Sequence, residues 1–390
     1  MTLHVLMLST LFPDVSRPNF GVFVERQARE LAGRPGVEMT VVAPIGIPPW
    51  PLSMAAPYKE LRYIPRMEFW RDLTVYRPRF TVIPKVSGAM NVAFMTRAIL
   101  PLVRKLHRQE PFDVIDASFF YPDGPVAARI AKKLGIPFSV KARGADIHYW
   151  GKLPSTRRAV LKAADAAAGL LAVSETMRRS MISLGMDGER IRVHYTGVDL
   201  DRFQPGDSAS AKESFQLSGP VVLSVGALIP RKGQELLIRA LKHLPDVTLM
   251  LVGQGSHRRS YEQLAEAEGV SNRVGFLGAV SHDQLPRLFA AADVMALPSA
   301  SEGLANAWVE ALACGRPIVI SDVGGARELM DRPEAGYIVD REPEAIAQAI
   351  RSLIDNPPDP AAVRETALRF TWQANGDGLL EHLRGIAGKG

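Results

Sequence analysis

Short apolar runs, each followed by a stretch with helical periodicity, recur along most of this 390-residue chain. "LHVLML" opens the series at residues 3–8, a loop "STLFPDVSRPNFG" follows, then the amphipathic "VFVERQARELA" and a second run, "EMTVVAP". A strand, a helix and a strand in that order place the two strands parallel, because the helix must cross back over the sheet. "DVIDAS", "PFSVKARG" and "GLLAVS" continue the pattern, with helical segments between them. The logic then restarts. "PVVLSVGAL", "VTLMLVG", "RVGFLG", "DVMALPS" and "PIVIS" read as buried strands, separated by "GQELLIRALKHL", "HRRSYEQLAEAEG", "HDQLPRLFAAA" and "NAWVEALACG" as helices. The apolar runs are nearly continuous rather than alternating, as expected of strands covered on both faces. Two doubly wound α/β domains in tandem are therefore expected, with "IRVHYTGVDLDRFQP" as the linker between them. Such sheets hold ligands beyond the carboxyl ends of their strands, which points to the cleft between the domains.

A long Pro- and aromatic-rich segment, 44–87, has weak periodicity and reads as loops and short strands, and "GAMNVAFMTRAILPLVRKLHRQ" reads as a helix with a basic end. With 47% hydrophobic and 23% charged residues the composition is that of a soluble globular protein. "MTLHVLMLST" lacks the basic start and cleavage site of a secretory leader, and no apolar run reaches the roughly 20 residues that span a bilayer. The lone Cys314 rules out an intrachain disulfide and reads as a small buried hydrophobe, which suits the cytoplasm. Charge is uneven: residues 1–197 carry 28 basic against 16 acidic side chains, and 198–390 carry 19 against 25. Within 57–108 there are 11 basic residues (Lys59, Arg62, Arg66, Arg71, Arg77, Arg79, Lys85, Arg97, Arg104, Lys105 and Arg108) and 3 acidic ones. Such a segment favours an anionic partner. Zinc spacing, a helix-turn-helix pattern and RNA-binding aromatics are all missing from the sequence, so an anionic membrane surface is expected ahead of nucleic acid.

The stretch "SEGLANAWVEALACG", 301–315, sets Glu302 and Glu310 eight residues apart. Asn306 is the expected N-cap of a helix that runs to Gly315. Eight residues of helix rise about 12 Å, little more than two turns, so both carboxylates can project to one side. The helix start between them offers unpaired N–H groups for a pyrophosphate, and carboxylates suit sugar hydroxyls. Glu310 lies among Trp308, Val309, Ala311 and Leu312, where an unpartnered carboxylate is costly.

The run "LPSASEGLANAWVEALACGRPIVISDVGG" resembles the Glu-x7-Glu signature of family 4 retaining glycosyltransferases of the GT-B fold, in which two Rossmann-like domains face an interdomain cleft. The resemblance extends through "RPNFGVFVERQARELA", "YPDGPVAARIAKKLGIPFSVKARGADI", "LLAVSETMRRSM", "TGVDLDRFQP" and "LVGQG". It implies an N-terminal acceptor-side domain, 1–197, joined by a crossover helix at about 371–390, and a donor-binding domain, 198–370. It implies a metal-independent hexosyl transfer from a nucleotide-diphosphate sugar, UDP- or GDP-type, with no cofactor, completed by domain closure. Glu302 would sit by the donor sugar and Glu310 at the ribose. The amides of Gly303, Leu304, Ala305 and Asn306 would meet sugar and diphosphate, Lys232 and Arg231 would stabilise the leaving diphosphate beside Gly226, and the Gly21 amide would face the phosphates from the other domain. Arg143 and Asp146 would touch acceptor or phosphate.

Some positions depart from the family pattern. Gly226-Ala227 stands where relatives carry Gly-Arg, with Arg231 as the expected substitute guanidinium, Arg143 stands where many carry His, and Thr196 where Asn is usual. Asp199-Leu200-Asp201 resembles a metal-binding Asp-x-Asp but falls in the linker, Gly253-Gln254-Gly255 lacks the third glycine of a dinucleotide loop, and the eight histidines show no paired ligand spacing, so no metal is expected. The acceptor is expected to be a glycan or lipid-linked molecule of bacterial surface-polysaccharide synthesis, with the enzyme cytoplasmic or peripheral on the inner membrane face. A non-catalytic nucleotide-sugar or glycan-binding relative and a GT-B nucleotide-sugar epimerase are the competing classes. The intact Glu302, Lys232 and Glu310 argue against the first, and the long family 4 resemblance against the second.

Overall fold

The computed structural model describes residues 2–18, 20–55, 58–83 and 90–389. Met1, Asn19, Lys85, Gly88, Ala89 and Gly390, each part of a segment discussed above, lie outside the described residues. The chain divides into two units, Met1–Gly197 with Trp372–Gly390, and Val198–Thr371.

Among the described residues the first unit holds ten strands: β1 (Leu3–Leu8), β2 (Val37–Val42), β3 (Ile45–Ile47), β4 (Met67–Trp70), β5 (Leu73–Tyr76), β6 (Arg79–Thr81), β7 (Val114–Ala117), β8 (Phe138–Ala142), β9 (Gly169–Ala172) and β10 (Ile191–Val193). Eight of them form one sheet in the order β10-β9-β8-β7-β1-β2-β5-β4, and β3 pairs with β6 in a small separate ribbon. Every pairing is parallel except the β4–β5 hairpin. In β1, Leu6 and Leu8 enter one core cluster, while Leu3 and Val5 enter another with Leu31, Leu379 and Leu383. Both faces are covered, which is why the strand reads as unbroken hydrophobe. The helix Val22–Ala32 starts at Gly21, whose φ of 73° lies in the left-handed region. A Cβ there would press on the Leu11 carbonyl group at 2.6 Å, so this position needs glycine for both backbone angle and space. The chain leaves this unit after Gly197 and returns at Trp372. The returning helix Trp372–Ala387 packs along Val22–Ala32, with Arg34 donating to the Gln373 carbonyl at 2.9 Å.

The second unit holds β11 (Val221–Val225), β12 (Thr248–Val252), β13 (Val274–Gly278), β14 (Val294–Leu297), β15 (Ile318–Ser321) and β16 (Gly336–Val339). Their order is β13-β12-β11-β14-β15-β16, all parallel. Strand order reverses between β11 and β14, where successive crossovers turn to opposite faces and leave a crevice at the carboxyl ends. The α/β architecture with two Rossmann-like sheets is as the alternation requires. The alternation also continues past the last strand read from the sequence. β16 is an edge strand, only half-buried, and the helices Pro343–Asp355 and Pro360–Glu365 follow it. With one face half-open and Gly336 and Tyr337 at its start, β16 carries too little apolar pattern to stand out.

Candidate active site

At the reversal point of the second unit, the loops after β11 and β14 are stitched together. Pro230–Lys232 forms a single 3₁₀ turn, and Ala300 N–H donates to the Arg231 carbonyl at 2.7 Å. The Arg231 guanidinium donates to the Ser301 carbonyl. Gly233, with φ of 75°, lies against the Pro298 carbonyl, where a Cβ would collide. These contacts bring Lys232 Nζ to 2.6 Å from Glu302 Oε1 and Arg231 to 3.5 Å from Glu302 Oε2. The side chains of Lys232 and Glu302 are 14% and 9% exposed, so the pair is sheltered yet reachable. The loop after β15 holds the other side of Glu302. Gly325 N–H donates to the Gly303 carbonyl at 2.6 Å, and a Cβ on Gly324 would run into the Glu302 and Gly303 carbonyls. Gly253 and Gly255, after β12, back onto the Gly226 and Leu228 carbonyls in the same way, and form a strand-end turn. Gly226 itself has room for a Cβ, 3.6 Å from Lys232 Cδ.

The helix Asn306–Ala313 begins one residue earlier than the capping expectation. Ala305 occupies the N-cap position with φ −72° and ψ 123°, and Asn306 is already helical, so its side chain sits one step too far along to cap. Among the described residues, the N–H groups of Gly303, Leu304, Ala305 and Asn306 have no acceptor, which leaves four donors at this helix entry. Glu310 is buried at 8% exposure, and its Oε1 lies 2.7 Å from His282 Nε2. His282 comes from the turn after β13, fixed by a Ser281–Gln284 capping box, and its ring meets Phe203 edge-on at 5.0 Å. The sequence reading misses His282. The Ser-x-x-Gln box marks the turn, but nothing in the spacing pairs the ring with a carboxylate 28 residues on. Burial, together with the neighbouring Glu310, pushes the Cys314 thiol up to about 12, in keeping with an unreactive apolar role.

The first unit carries a different cluster at the ends of β7 and β8. Asp116 is fully buried with both oxygens unpartnered among the described residues. Burial raises it to about 6 against the opposing pull of Arg143 and Lys141. Lys141, also buried, places Nζ 3.1 Å from Gln27 Oε1 and 2.7 Å from His194 Nδ1. His194 Nε2 lies 2.8 Å from the Asn375 carbonyl, so Nε2 carries the proton and Nδ1 accepts from Lys141. Burial, reinforced by the adjacent Arg143, holds Lys141 well below its usual range. Arg143 Nε donates to the Ser118 carbonyl at 2.7 Å, its NH2 reaches Gln27 Oε1 at 3.1 Å, and its guanidinium stacks over Phe23 at 4.9 Å. Asp146 accepts from the N–H groups of Phe120, Arg143 and Gly144 at 2.9, 3.1 and 2.7 Å. Its carboxylate therefore holds its own loop in place.

Two further groups lie elsewhere. Asp199 Oδ1 accepts from Arg202 N–H at 3.1 Å, a local turn bond. Among the described residues, His4, Glu38 and Glu110 could converge on a cation, but His4 and Glu38 sit at the amino ends of β1 and β2, opposite the ligand-binding ends of the strands.

Two Rossmann-like parallel-sheet units, the second with a cation–carboxylate pair at its reversal point, have the architecture of the GT-B class. Solved structures share the fold: sucrose-phosphate synthase of Thermosynechococcus elongatus, at TM-score 0.78 and 21% identity over 100% of both chains, and Anabaena HepE in complex with UDP and glucose, at TM-score 0.75 and 23% identity over 98% of this chain and 99% of that one. The pattern described as Glycosyltransferase Family 4 matches residues 21–202, and that of Glycosyl transferases group 1 matches 207–370. The GDP-mannose-dependent alpha-(1-6)-phosphatidylinositol monomannoside mannosyltransferase of Mycolicibacterium smegmatis is 31% identical over 345 residues, covering 80% of this chain and 90% of that one. The Bacillus subtilis glycosyltransferase TuaC, named for teichuronic acid biosynthesis, is 28% identical over 361 residues, 89% of this chain and 88% of that one. The chain belongs to glycosyltransferase family 4.

Proposed function

We propose that this enzyme transfers a sugar, with retention and without a metal or other cofactor, from a nucleotide-diphosphate sugar to a glycan or lipid-linked acceptor of cell-surface polysaccharide or glycolipid synthesis. The observation that carries the reading is the Lys232–Glu302 pair, drawn from the loops after β11 and β14 beside four unpaired helix-entry amides. A diphosphate brings the negative charge that Lys232, Arg231 and those amides suit. When the bond from the anomeric carbon to the diphosphate oxygen breaks, the electron pair leaves with the diphosphate, and fixed positive groups stabilise that charge without reorganising. Glu302, released from Lys232, is then free to face the sugar, and Glu310 to accept from ribose hydroxyls. The UDP and glucose bound by HepE, and the GDP-mannose in the mannosyltransferase's name, support a donor of this type. The names of the two relatives support a surface polymer or lipid-linked acceptor.

The basic excess of residues 1–197 supports an anionic membrane surface as a partner of the first unit, with the enzyme peripheral on the inner face. Among the described residues no helix is long and apolar enough to cross a membrane. Thermal unfolding in the presence of UDP-, GDP- and ADP-sugars tests the donor assignment, since a ligand that binds the folded state raises Tm. One nucleotide series is expected to raise it, and an unchanged Tm with all three would overturn the reading. Turnover that survives EDTA, with the anomeric configuration of the product read by NMR, tests the metal and the stereochemistry.

A further inference from the structure

The helix Asn91–Gln109 buries Val92, Met95, Ile99 and Val103 against the first unit's core. Its opposite face lines a groove of about 560 Å³ whose rim is arginine: Arg97, Arg104 and Arg108 from this helix and Arg129 from the helix Asp123–Leu134, over Leu100 and Pro101. At 3.6 residues per turn, Arg97, Arg104 and Arg108 fall within about 40° of one another, strung over about 16 Å. All four guanidiniums are exposed, and among the described residues none is paired with a carboxylate. Arg34, Arg77 and Arg351, by contrast, each meet an acidic partner. Four like charges gathered around one groove repel one another unless anions sit between them.

The chemistry of the rim narrows the occupant. Guanidinium presents a planar fork that matches phosphate oxygens two at a time. A stripe of about 16 Å exceeds what one phosphate can satisfy and suits several phosphates laid out on a surface. Exposed apolar atoms from Leu100 and Pro101 between the cations fit the boundary between headgroups and acyl chains. We propose that the Arg97–Arg104–Arg108–Arg129 groove binds phosphate-bearing lipid headgroups and docks the first unit on an anionic bilayer. The proposal rests on the reading that this unit meets an anionic surface, and adds which residues make the contact.

The test is co-sedimentation of the full chain with vesicles of phosphatidylcholine alone and of phosphatidylcholine mixed with phosphatidylglycerol. The wild type is compared with R97Q/R104Q/R129Q and with K152Q/R158Q/K162Q, which removes equal charge from exposed positions elsewhere on the unit. Each cation at an anionic surface strengthens binding several-fold, so the groove variant is expected to lose at least ~10-fold in affinity for the mixed vesicles while the control loses less than ~3-fold. Matching melting curves confirm that both variants fold. Equal loss in the two variants, or none in the groove variant, overturns the groove and leaves the surface reading standing. Wild-type binding that ignores phosphatidylglycerol overturns both. Calorimetry with inorganic pyrophosphate is the remaining arm. Tight, groove-dependent binding of pyrophosphate without vesicle binding would replace the lipid with a soluble phosphate ligand.

Discussion

The two units place charged side chains at equivalent ends of parallel sheets and treat them in opposite ways. In the second, Lys232 and Glu302 leave their loops to meet each other at 2.6 Å, sheltered but still touching solvent. In the first, Asp116 and Lys141 lie inside strands β7 and β8 and are fully buried, one with no partner on its oxygens among the described residues and the other bonded to Gln27 and His194. A pair on a loop can exchange its partner for an incoming anion at modest cost. A group in a strand cannot, and its charge is shifted instead. Location at the carboxyl end of a sheet is therefore not sufficient to mark a reacting group. What separates the two clusters is whether the charged form is stabilised and can be released.

The largest effect that separates them is on turnover. Lys232→Met removes a fixed positive charge from the developing diphosphate and is expected to lower kcat by about 10²–10³, as the loss of one preorganised donor does elsewhere. Stability should change little, because Arg231 remains at 3.5 Å from Glu302. A variant within tenfold of wild type would make the pair structural and erase the contrast. The first unit should answer in stability. Asp116 sits at about 6 in the folded chain and 3.8 in its ordinary state. Its contribution is therefore fully present below pH 3.8 and is lost as the pH rises through 6, after which holding the ionised carboxylate costs about 3 kcal/mol. Asp116→Asn is expected to recover much of that at pH 8 and almost none near pH 4, in urea unfolding at the two pH values. Destabilisation at pH 8 would show that the carboxylate is paired after all.

Much of the fold was legible because parallel strands buried on both faces advertise themselves: β1 and the helix Val22–Ala32 coincide with the apolar run and amphipathic pattern that predict them. β16 was not, since an edge strand has less to bury. The pairing of Lys232 with Glu302 spans 70 residues and depends on which strands are neighbours, so no local spacing encodes it. Asn306 shows a smaller failure, with the right residue type for a cap standing one position inside the helix. Asp116 and Lys141 are the more instructive omission. Charged residues within "DVIDAS" and "PFSVKARG" occupy the same kind of apolar setting that singled out Glu310, and the burial argument applied there reaches them equally.

Smaller effects test whether Glu310 belongs with the exchangeable group or the buried one. If it receives ribose hydroxyls, Glu310→Ala removes charge-assisted hydrogen bonds and should weaken donor binding by about 10–100-fold in calorimetry. Unchanged affinity would place it with Asp116, as a carboxylate the fold merely tolerates.

The least effect is expected from its partner. His282 Nε2 sits 2.7 Å from Glu310 Oε1, and the ring is steadied by Phe203. In the donor reading the histidine positions the carboxylate and leaves the other oxygen for the ligand, so His282→Ala should cost only a few-fold in donor affinity, near the net worth of one hydrogen bond. His282→Gln, whose amide can donate in place of Nε2–H, should restore most of that loss if orientation is the role. Both variants should leave kcat at saturating donor close to wild type, because Glu310 lies at the ribose in this reading and away from the bond that breaks. A His282→Ala defect larger than that of Glu310→Ala would invert the assignment, making the imidazole the donor's direct contact and Glu310 the group that aims it.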